Sequence, residues 1–151
     1  MESAEADLFR NRTYILTEGT APPRPNQKSF VELLSLFGCR IVTLSPAEHD
    51  RIVSYYSHVP QLASTALAAM ISRTDSTKQA AGPGLMDMTR LAMSSYAVWR
   101  DIIATNHSVI GPALDHYISV LQEVRDSLGT AEMEKLFDSG AALAKSIRRD
   151  F

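Results

Sequence analysis

The chain has 151 residues, a hydrophobic content of 45% and a formal net charge of −2. This length suits one ordinary domain with a core, and the near-neutral charge gives no general electrostatic reason to bind nucleic acid or an anionic membrane. No run of about 18 apolar residues predicts a membrane span, and the single cysteine, Cys39, cannot form an internal disulfide, so we expect a soluble, cytoplasmic protein.

The first 25 residues differ in pattern from the rest. Residues 14–17 form a short β-branched and aromatic run that predicts a strand, and the prolines at positions 22, 23 and 25 predict an extended linker after it. Because one strand cannot pair with itself, we predict that it is the last strand of a sheet whose other strands lie outside this chain. Without that sheet, the segment is expected to be disordered or to pair with the same strand of another subunit.

The chain after the linker is predicted to be helical. Apolar residues between Phe30 and Phe37 recur at spacings of three and four and end at Gly38, and residues 41–44 form a brief extended piece. Ser45, Pro46 and Glu48 then form a capping-box pattern. The helix that begins there is predicted to reach about residue 73, with a kink or break near Val59 because Pro60 follows.

Further helices are predicted beyond a polar loop at residues 74–84. Their expected bounds are about 84–93, 95–105, 106–128 and 131–148. The predicted fold class is therefore all-α, with five or six helices behind one strand.

Several nucleotide and metal motifs are absent from the sequence. It contains no G-x-G-x-x-G, no Walker sequence, no H-E-x-x-H and no paired cysteines, and the cluster of Gly82, Pro83 and Gly84 follows a polar loop rather than a strand. We therefore expect no nucleotide or metal chemistry from this chain alone.

Two pairs of polar residues are candidate binding groups. Ser54 and His58 are four apart on one predicted helix face, where the imidazole either packs as a structural histidine or donates to an anionic ligand. Asp87 and Arg90 are three apart, and they either form a weak surface pair or present the arginine fork to a carboxylate with Asp87 beside it. A hydrolase interpretation of Ser54 and His58 has little support, since no third group accompanies them.

These signals occur in an order that resembles the prephenate and arogenate dehydrogenases of tyrosine biosynthesis. The segments are Tyr14-Ile15-Leu16-Thr17, Ser45-Pro46-x-Glu48-His49-Asp50, Ser57-His58-x-Pro60-Gln61, Asp87-x-Thr89-Arg90, Trp99-x-Asp101-Ile102 and Asn106. The resemblance covers nearly the whole chain, and the combination is far more specific than any one segment.

The resemblance implies an all-α dimerisation and substrate-side domain at residues 26–151, preceded at 1–25 by a remnant of a nucleotide-binding domain. It also implies a homodimer, prephenate or arogenate as substrate, and NAD or NADP as cofactor of the full-length enzyme. Arg90 matches the family arginine that binds a substrate carboxylate, His58 matches a histidine of the same pocket, and Ser54 and Asp87 match its polar neighbours. The family's catalytic histidine has no counterpart here, so the chain alone is expected to be inactive and to bind no cofactor.

The sequence also departs from the family pattern. Glu18 and Leu85 stand where the family often has proline and phenylalanine, and Tyr96 replaces a usual proline. These changes leave the shape of the pocket and the choice between prephenate and arogenate open. Two other interpretations also stay open: a stand-alone helical module that senses an aromatic acid such as tyrosine, and a purely structural dimerisation module.

Overall fold

A computed structural model describes residues 7–19, 24–74 and 78–150 of the chain. Most of these residues are helical, as the predicted all-α class requires. The helices are α1 (Gln27–Leu36), α2 (Pro46–Val53), α3 (Val59–Ser72), α4 (Pro83–Thr89), α5 (Tyr96–Asp126) and α6 (Glu132–Asp150), and the strands are β1 (Thr13–Thr17) and β2 (Arg40–Leu44). Pro22 and Pro23 of the predicted linker lie outside the described residues.

The strand β1 has a partner within the chain. It pairs in parallel with β2, with Thr13 opposite Arg40 and Thr17 opposite Leu44. The prediction that residues 14–17 are disordered, or pair with another subunit, was therefore wrong. The connection between the strands contains α1, which gives it the length that a parallel crossover needs, and residues 41–44 serve as a strand rather than an isolated extended piece.

The helix α1 ends in a glycine-dependent cap, as its sequence predicts. Gly38 has φ +76°, a left-handed conformation that favours glycine. Its N–H donates to the Ser35 carbonyl at 3.0 Å, and the Cys39 N–H donates to the Leu34 carbonyl at 3.1 Å. This bonding pattern is a Schellman motif, and it turns the chain directly into β2.

The predicted capping box begins α2, and the predicted interruption follows it. The Glu48 carboxylate accepts from the Ser45 N–H at 3.0 Å, and the Glu48 N–H donates to the Ser45 hydroxyl at 3.2 Å. Regular α-helix continues only to Val53, after which Ser54–His58 form one π-helical turn before α3. The break lies directly before Val59 and Pro60, where the sequence predicted it.

The second half of the chain contains one long helix instead of two. A 3₁₀ turn, Arg90–Met93, follows α4, and α5 then runs without interruption from Tyr96 to Asp126. The predicted boundary between residues 105 and 106 was wrong, and Pro112 lies inside the helix. The last helix, α6, agrees with its predicted bounds to within two residues.

The chain divides into two compact units, Asp50–Gln122 and the pair of segments Met1–His49 and Glu123–Phe151. In the Asp50–Gln122 unit, α3 packs against α4 and against the 3₁₀ turn. All four candidate binding residues belong to this unit. Within the described ranges, no helix is both long and apolar enough to cross a membrane. The proposed domain boundary after residue 25 stays a prediction.

Candidate functional site

The π-helical turn carries two of the candidate residues and buries both. Only 1% of Ser54 and 6% of His58 is exposed. The Ser54 hydroxyl donates to the Arg51 carbonyl at 2.7 Å, so its proton is committed to the backbone of the same helix. The turn therefore directs both polar side chains inward, and the serine hydroxyl keeps only its acceptor lone pairs for any further bond.

The imidazole of His58 packs edge-on against Trp99 of α5. The ring centroids are 5.9 Å apart and the planes are inclined by 89°. This T-shaped arrangement is one that aromatic quadrupoles favour. Trp99 is half-buried and helps fix the orientation of the imidazole.

The two residues that follow Trp99 lie at the surface. The Arg100 guanidinium contacts the Asp101 carboxylate at 2.8 Å, and both side chains are exposed. This hydrogen bond raises the pKa of Arg100 above its ordinary value, so the arginine stays charged. The pair is separate from the four candidate binding residues in sequence, although it directly follows Trp99.

Two buried polar residues of α3 were missed by the sequence analysis as site residues. Gln61 is 5% exposed and Ser64 is 3% exposed. The Gln61 side-chain amide donates to the Leu91 carbonyl at 2.9 Å, and the Ser64 hydroxyl accepts from the Ala92 N–H at 3.0 Å. They were detectable only in part: Gln61 belongs to a segment that carried the family resemblance, whereas nothing local distinguishes Ser64.

These bonds attach α3 to the turn that begins with Arg90. Arg90 is exposed and forms the first residue of the 3₁₀ turn, directly before the two residues that α3 holds. Arg90 lines an open cleft of about 420 Å³ whose other lining residues are Met86, Asp87, Thr89 and Met93. The cleft thus combines apolar walls with one cationic and one anionic group.

Asp87 and Arg90 share this cleft without an ion pair between them in the described part of the chain. The interpretation in which Asp87 holds Arg90 by a direct contact therefore has no support in this structure. With no carboxylate bound to it, the guanidinium keeps its fork of donors available to an anion. Asp87 contributes a negative charge to the same wall.

The glycine cluster at residues 82–84 does not have the surroundings of a dinucleotide-binding turn. Gly82 and Gly84 flank Pro83 at the start of α4, which follows a 3₁₀ turn at Lys78–Ala80 instead of a strand. A pyrophosphate site of the Rossmann type needs a glycine-rich turn between a strand and a helix. Among the described residues, no group of three or more histidine, cysteine or acidic side chains is arranged to hold a metal ion.

A family model described as "Prephenate dehydrogenase, dimerization domain" matches residues 45–139. The chain belongs to the prephenate dehydrogenase family. The matched segment contains Ser54, His58, Asp87 and Arg90, together with Gln61 and Ser64 that hold the arginine turn. The strand pair and α1 precede the matched segment.

Individual relatives agree with this family. The chain is 32% identical to the prephenate dehydrogenase of Bacillus subtilis over 89% of its own length and 38% of that protein. It is 29% identical to the cyclohexadienyl dehydrogenase of Zymomonas mobilis over 88% of its own length and 47% of that protein. The chain therefore spans less than half the length of these two relatives.

Solved structures of the family share the fold. The prephenate dehydrogenase of A. aeolicus, in complex with hydroxyphenyl propionate and NAD+, aligns over 97% of this chain and 54% of its own, with a TM-score of 0.84 and 21% identity. The Synechocystis arogenate dehydrogenase aligns over 97% of this chain and 56% of its own, with a TM-score of 0.78 and 21% identity. At this level of identity the likeness establishes the fold.

Proposed function

We propose that this chain is the C-terminal part of a prephenate or arogenate dehydrogenase and supplies carboxylate recognition and the dimer interface. The whole enzyme would carry out the NAD(P)-dependent oxidative decarboxylation that leads to tyrosine. The observation that carries the proposal is the family match at residues 45–139, since it contains every candidate binding residue. NAD or NADP accepts the hydride in such a reaction, and the part of the enzyme that binds it lies outside the described residues.

Arg90 is the residue that would bind the substrate. Prephenate and arogenate each carry a ring carboxylate and a side-chain carboxylate, and arogenate has an amino group where prephenate has a keto oxygen. Each therefore offers an anion that matches the planar guanidinium fork. The cleft that Arg90 lines also has apolar walls from Met86 and Met93, which suit the ring of either substrate. In this proposal, His58 donates to the same ligand, and Ser54 and Asp87 complete the polar surroundings.

The proposed homodimer is supported by exposed apolar side chains on α5 and α6. Ile118 and Leu121 are 44% and 47% exposed, and Phe137 and Leu143 are 73% and 59% exposed. Large apolar side chains that are exposed together on one helix mark an interaction site. We assign it to a second copy of the chain, in agreement with the description of the matching family model.

The test of carboxylate recognition is calorimetric titration of the chain with prephenate, hydroxyphenyl propionate and tyrosine. We expect Arg90→Ala to weaken binding of the first two ligands at least about tenfold, since a charge-assisted hydrogen bond contributes roughly 1.5–3 kcal/mol. Arg125→Ala is the matched control, because Arg125 is exposed and pairs with Asp126 outside the cleft.

Each result of the titration has a defined meaning. Binding that is lost in Arg90→Ala and kept in Arg125→Ala supports the carboxylate site. A wild-type chain that binds none of the ligands contradicts carboxylate recognition by this chain and leaves a dimerisation scaffold. Binding of tyrosine alone favours the sensor interpretation, and hydride transfer by the chain without any other polypeptide contradicts its expected inactivity.

A further inference from the structure

Gln61 and Ser64 are polar residues of α3 that are almost fully buried. A buried amide or hydroxyl costs free energy unless it is hydrogen-bonded, so their presence on an otherwise alanine-rich helix needs a reason. Both side chains direct their hydrogen bonds to the backbone of one short segment, at Leu91 and Ala92. That segment is the 3₁₀ turn whose first residue is Arg90.

The two side chains bond to the carbonyl and to the N–H of one peptide unit in the turn. Gln61 donates to the Leu91 carbonyl, and Ser64 accepts from the N–H of the next residue, Ala92. The Leu91 carbonyl also accepts from the Ser94 N–H at 3.0 Å, so its two lone pairs are both used. The peptide between Leu91 and Ala92 is therefore fixed in orientation relative to α3.

Gln61 is itself held in place by the next turn of α3. The Thr65 hydroxyl accepts from the Gln61 side-chain amide at 3.3 Å while it donates to the Gln61 backbone carbonyl at 2.9 Å. The amide nitrogen must face Leu91, because its partner there is a carbonyl oxygen, which can only accept. This second contact restricts the rotamers of Gln61 independently of its bond to Leu91.

The Arg90 side chain has no comparable support of its own. Within the described residues, its guanidinium forms no hydrogen bond or ion pair with another side chain, although it lines the cleft. The direction in which it extends is thus set mainly by the backbone that carries it. A long flexible side chain binds an anion more tightly when its base is fixed, since less conformational freedom is lost on binding.

We infer that Gln61 and Ser64 are positioning residues that fix the peptide between Leu91 and Ala92 and thereby aim Arg90 at the ligand carboxylate. This inference rests on the proposed function of Arg90. The alternative is that the two residues only stabilise the packing of α3 against the turn. The alternatives differ in one respect: a positioning role acts through the Arg90 side chain, and a packing role does not.

The experiment combines amide exchange with ligand titration in single and double variants. Ser64→Ala removes one oxygen and Gln61→Met keeps the length of the side chain without its amide. Ser72→Ala is the matched control, because Ser72 lies on the same helix, is exposed, and bonds only to the Ala69 carbonyl. Titrations with hydroxyphenyl propionate are followed by NMR, which also measures weak binding, and each variant is repeated in an Arg90→Ala background.

We expect Ser64→Ala to speed exchange of the Ala92 amide about tenfold, and each α3 variant to weaken binding about fivefold, the equivalent of one hydrogen bond. In the Arg90→Ala background, neither variant should weaken binding further. Unchanged exchange at Ala92 would overturn the inference, as would equal losses of affinity with and without Arg90. A wild-type chain that binds no ligand instead overturns the proposed function, so the two failures are distinguishable.

Discussion

Ser45 and Glu48 illustrate how single residues set the start of a helix. The Glu48 carboxylate accepts from both the Ser45 N–H and the Ser45 hydroxyl, the latter at 2.7 Å, and the serine hydroxyl accepts from the Glu48 N–H. These reciprocal bonds satisfy backbone donors that the first turn of a helix leaves unpaired. The capping residue directly follows Leu44, the last residue of β2, so the chain passes from strand to helix without a loop.

We predict that Ser45→Ala lowers the free energy of unfolding by about 1 kcal/mol, the usual cost of losing an N-cap side chain. Urea denaturation followed by circular dichroism measures the change. Ser72→Ala serves as the control, since that serine lies in the last turn of α3 and caps no helix start. Equal midpoints for the two variants would contradict the prediction.

At the residue scale, local spacing in the sequence indicates candidate residues but does not indicate contacts between residues that are distant along the chain. Ser54 and His58 were proposed from a spacing of four, and the structure buries both. Gln61 was not proposed as a site residue because its partner, Leu91, is 30 residues away along the chain. No periodicity within α3 indicates that contact, and it becomes visible only when α3 packs against the turn.

At the level of elements, the π-helical turn has an identifiable cause in Pro60. The Val59 N–H donates to the Ser54 carbonyl, five residues earlier, which is the wider spacing of a π-helix. Pro60 has no N–H, and its ring would clash with the Tyr56 carbonyl in a regular α-helix. The wider turn moves that carbonyl away from the ring and allows the helical direction to continue into α3.

We predict that Pro60→Ala converts residues 54–58 to regular α-helix. The backbone amide that the substitution introduces at position 60 should donate to the Tyr56 carbonyl and become protected from hydrogen exchange. The residues before Val59 should then turn about the helix axis relative to α3 by as much as one residue, or about 100°. The carboxylate binding that we propose should weaken as a result.

Hydrogen exchange measured by NMR tests the Pro60→Ala prediction, with Pro46→Ala as the control. Pro46 occupies the first position of α2, where a missing N–H breaks no intrahelical bond. An unprotected amide at residue 60 of the variant would show that Pro60 is not the cause of the π-helical turn.

The long helix α5 shows why a sequence-based helix boundary failed. The sequence predicts a new helix from Asn106, but the side-chain amide of this residue donates to the Ile102 carbonyl at 2.9 Å within the same helix. Pro112 removes the N–H that would bond to Ser108, and both residues are exposed, so water can satisfy the carbonyl that is left. Local signals that end an isolated helix were overridden by burial of Ile110 and Ala113.

The pairing of β1 with β2 was not predicted, for a related reason. Each strand has only five residues, and α1 separates them. A strand pattern indicates that a segment pairs, but it does not identify the partner, and a five-residue stretch carries little information about register. The helical class was predictable from the periodicity of apolar residues. The parallel pairing of β1 with β2 depends on contacts between segments that α1 separates in the sequence.

For the molecule as a whole, the described structure buries few apolar residues and exposes many. Leu34, Val59, Ile110 and Ala113 are the buried hydrophobic residues within the described ranges. A chain of 151 residues folded on its own is expected to bury a larger core. On α5, the exposed Ile118 and Leu121 share one face with the half-buried Leu114, at the spacing of a helix that packs against another helix.

We predict that the chain sediments as a dimer and that Ile118→Asp combined with Leu121→Asp shifts it to a monomer. A carboxylate in the centre of an apolar interface loses hydration without gaining a partner, which costs several kcal/mol in association. Analytical ultracentrifugation measures the mass, and circular dichroism checks that the variant keeps its helices. Ser119→Asp on another face of α5 is the control, and a monomeric wild-type chain would contradict the proposed homodimer.

The π-helical turn between α2 and α3 also marks a position where one residue can be deleted from the chain. The π-helical turn holds one residue more than an α-helical turn. A regular α-helix that joined Val53 to Val59 with the same helical rotation would therefore need one residue fewer between them. A one-residue deletion within 54–58 therefore keeps the outward and inward faces of both helices aligned. A family member that lacks this residue would retain the fold and lose the local widening that turns Ser54 and His58 toward the interior.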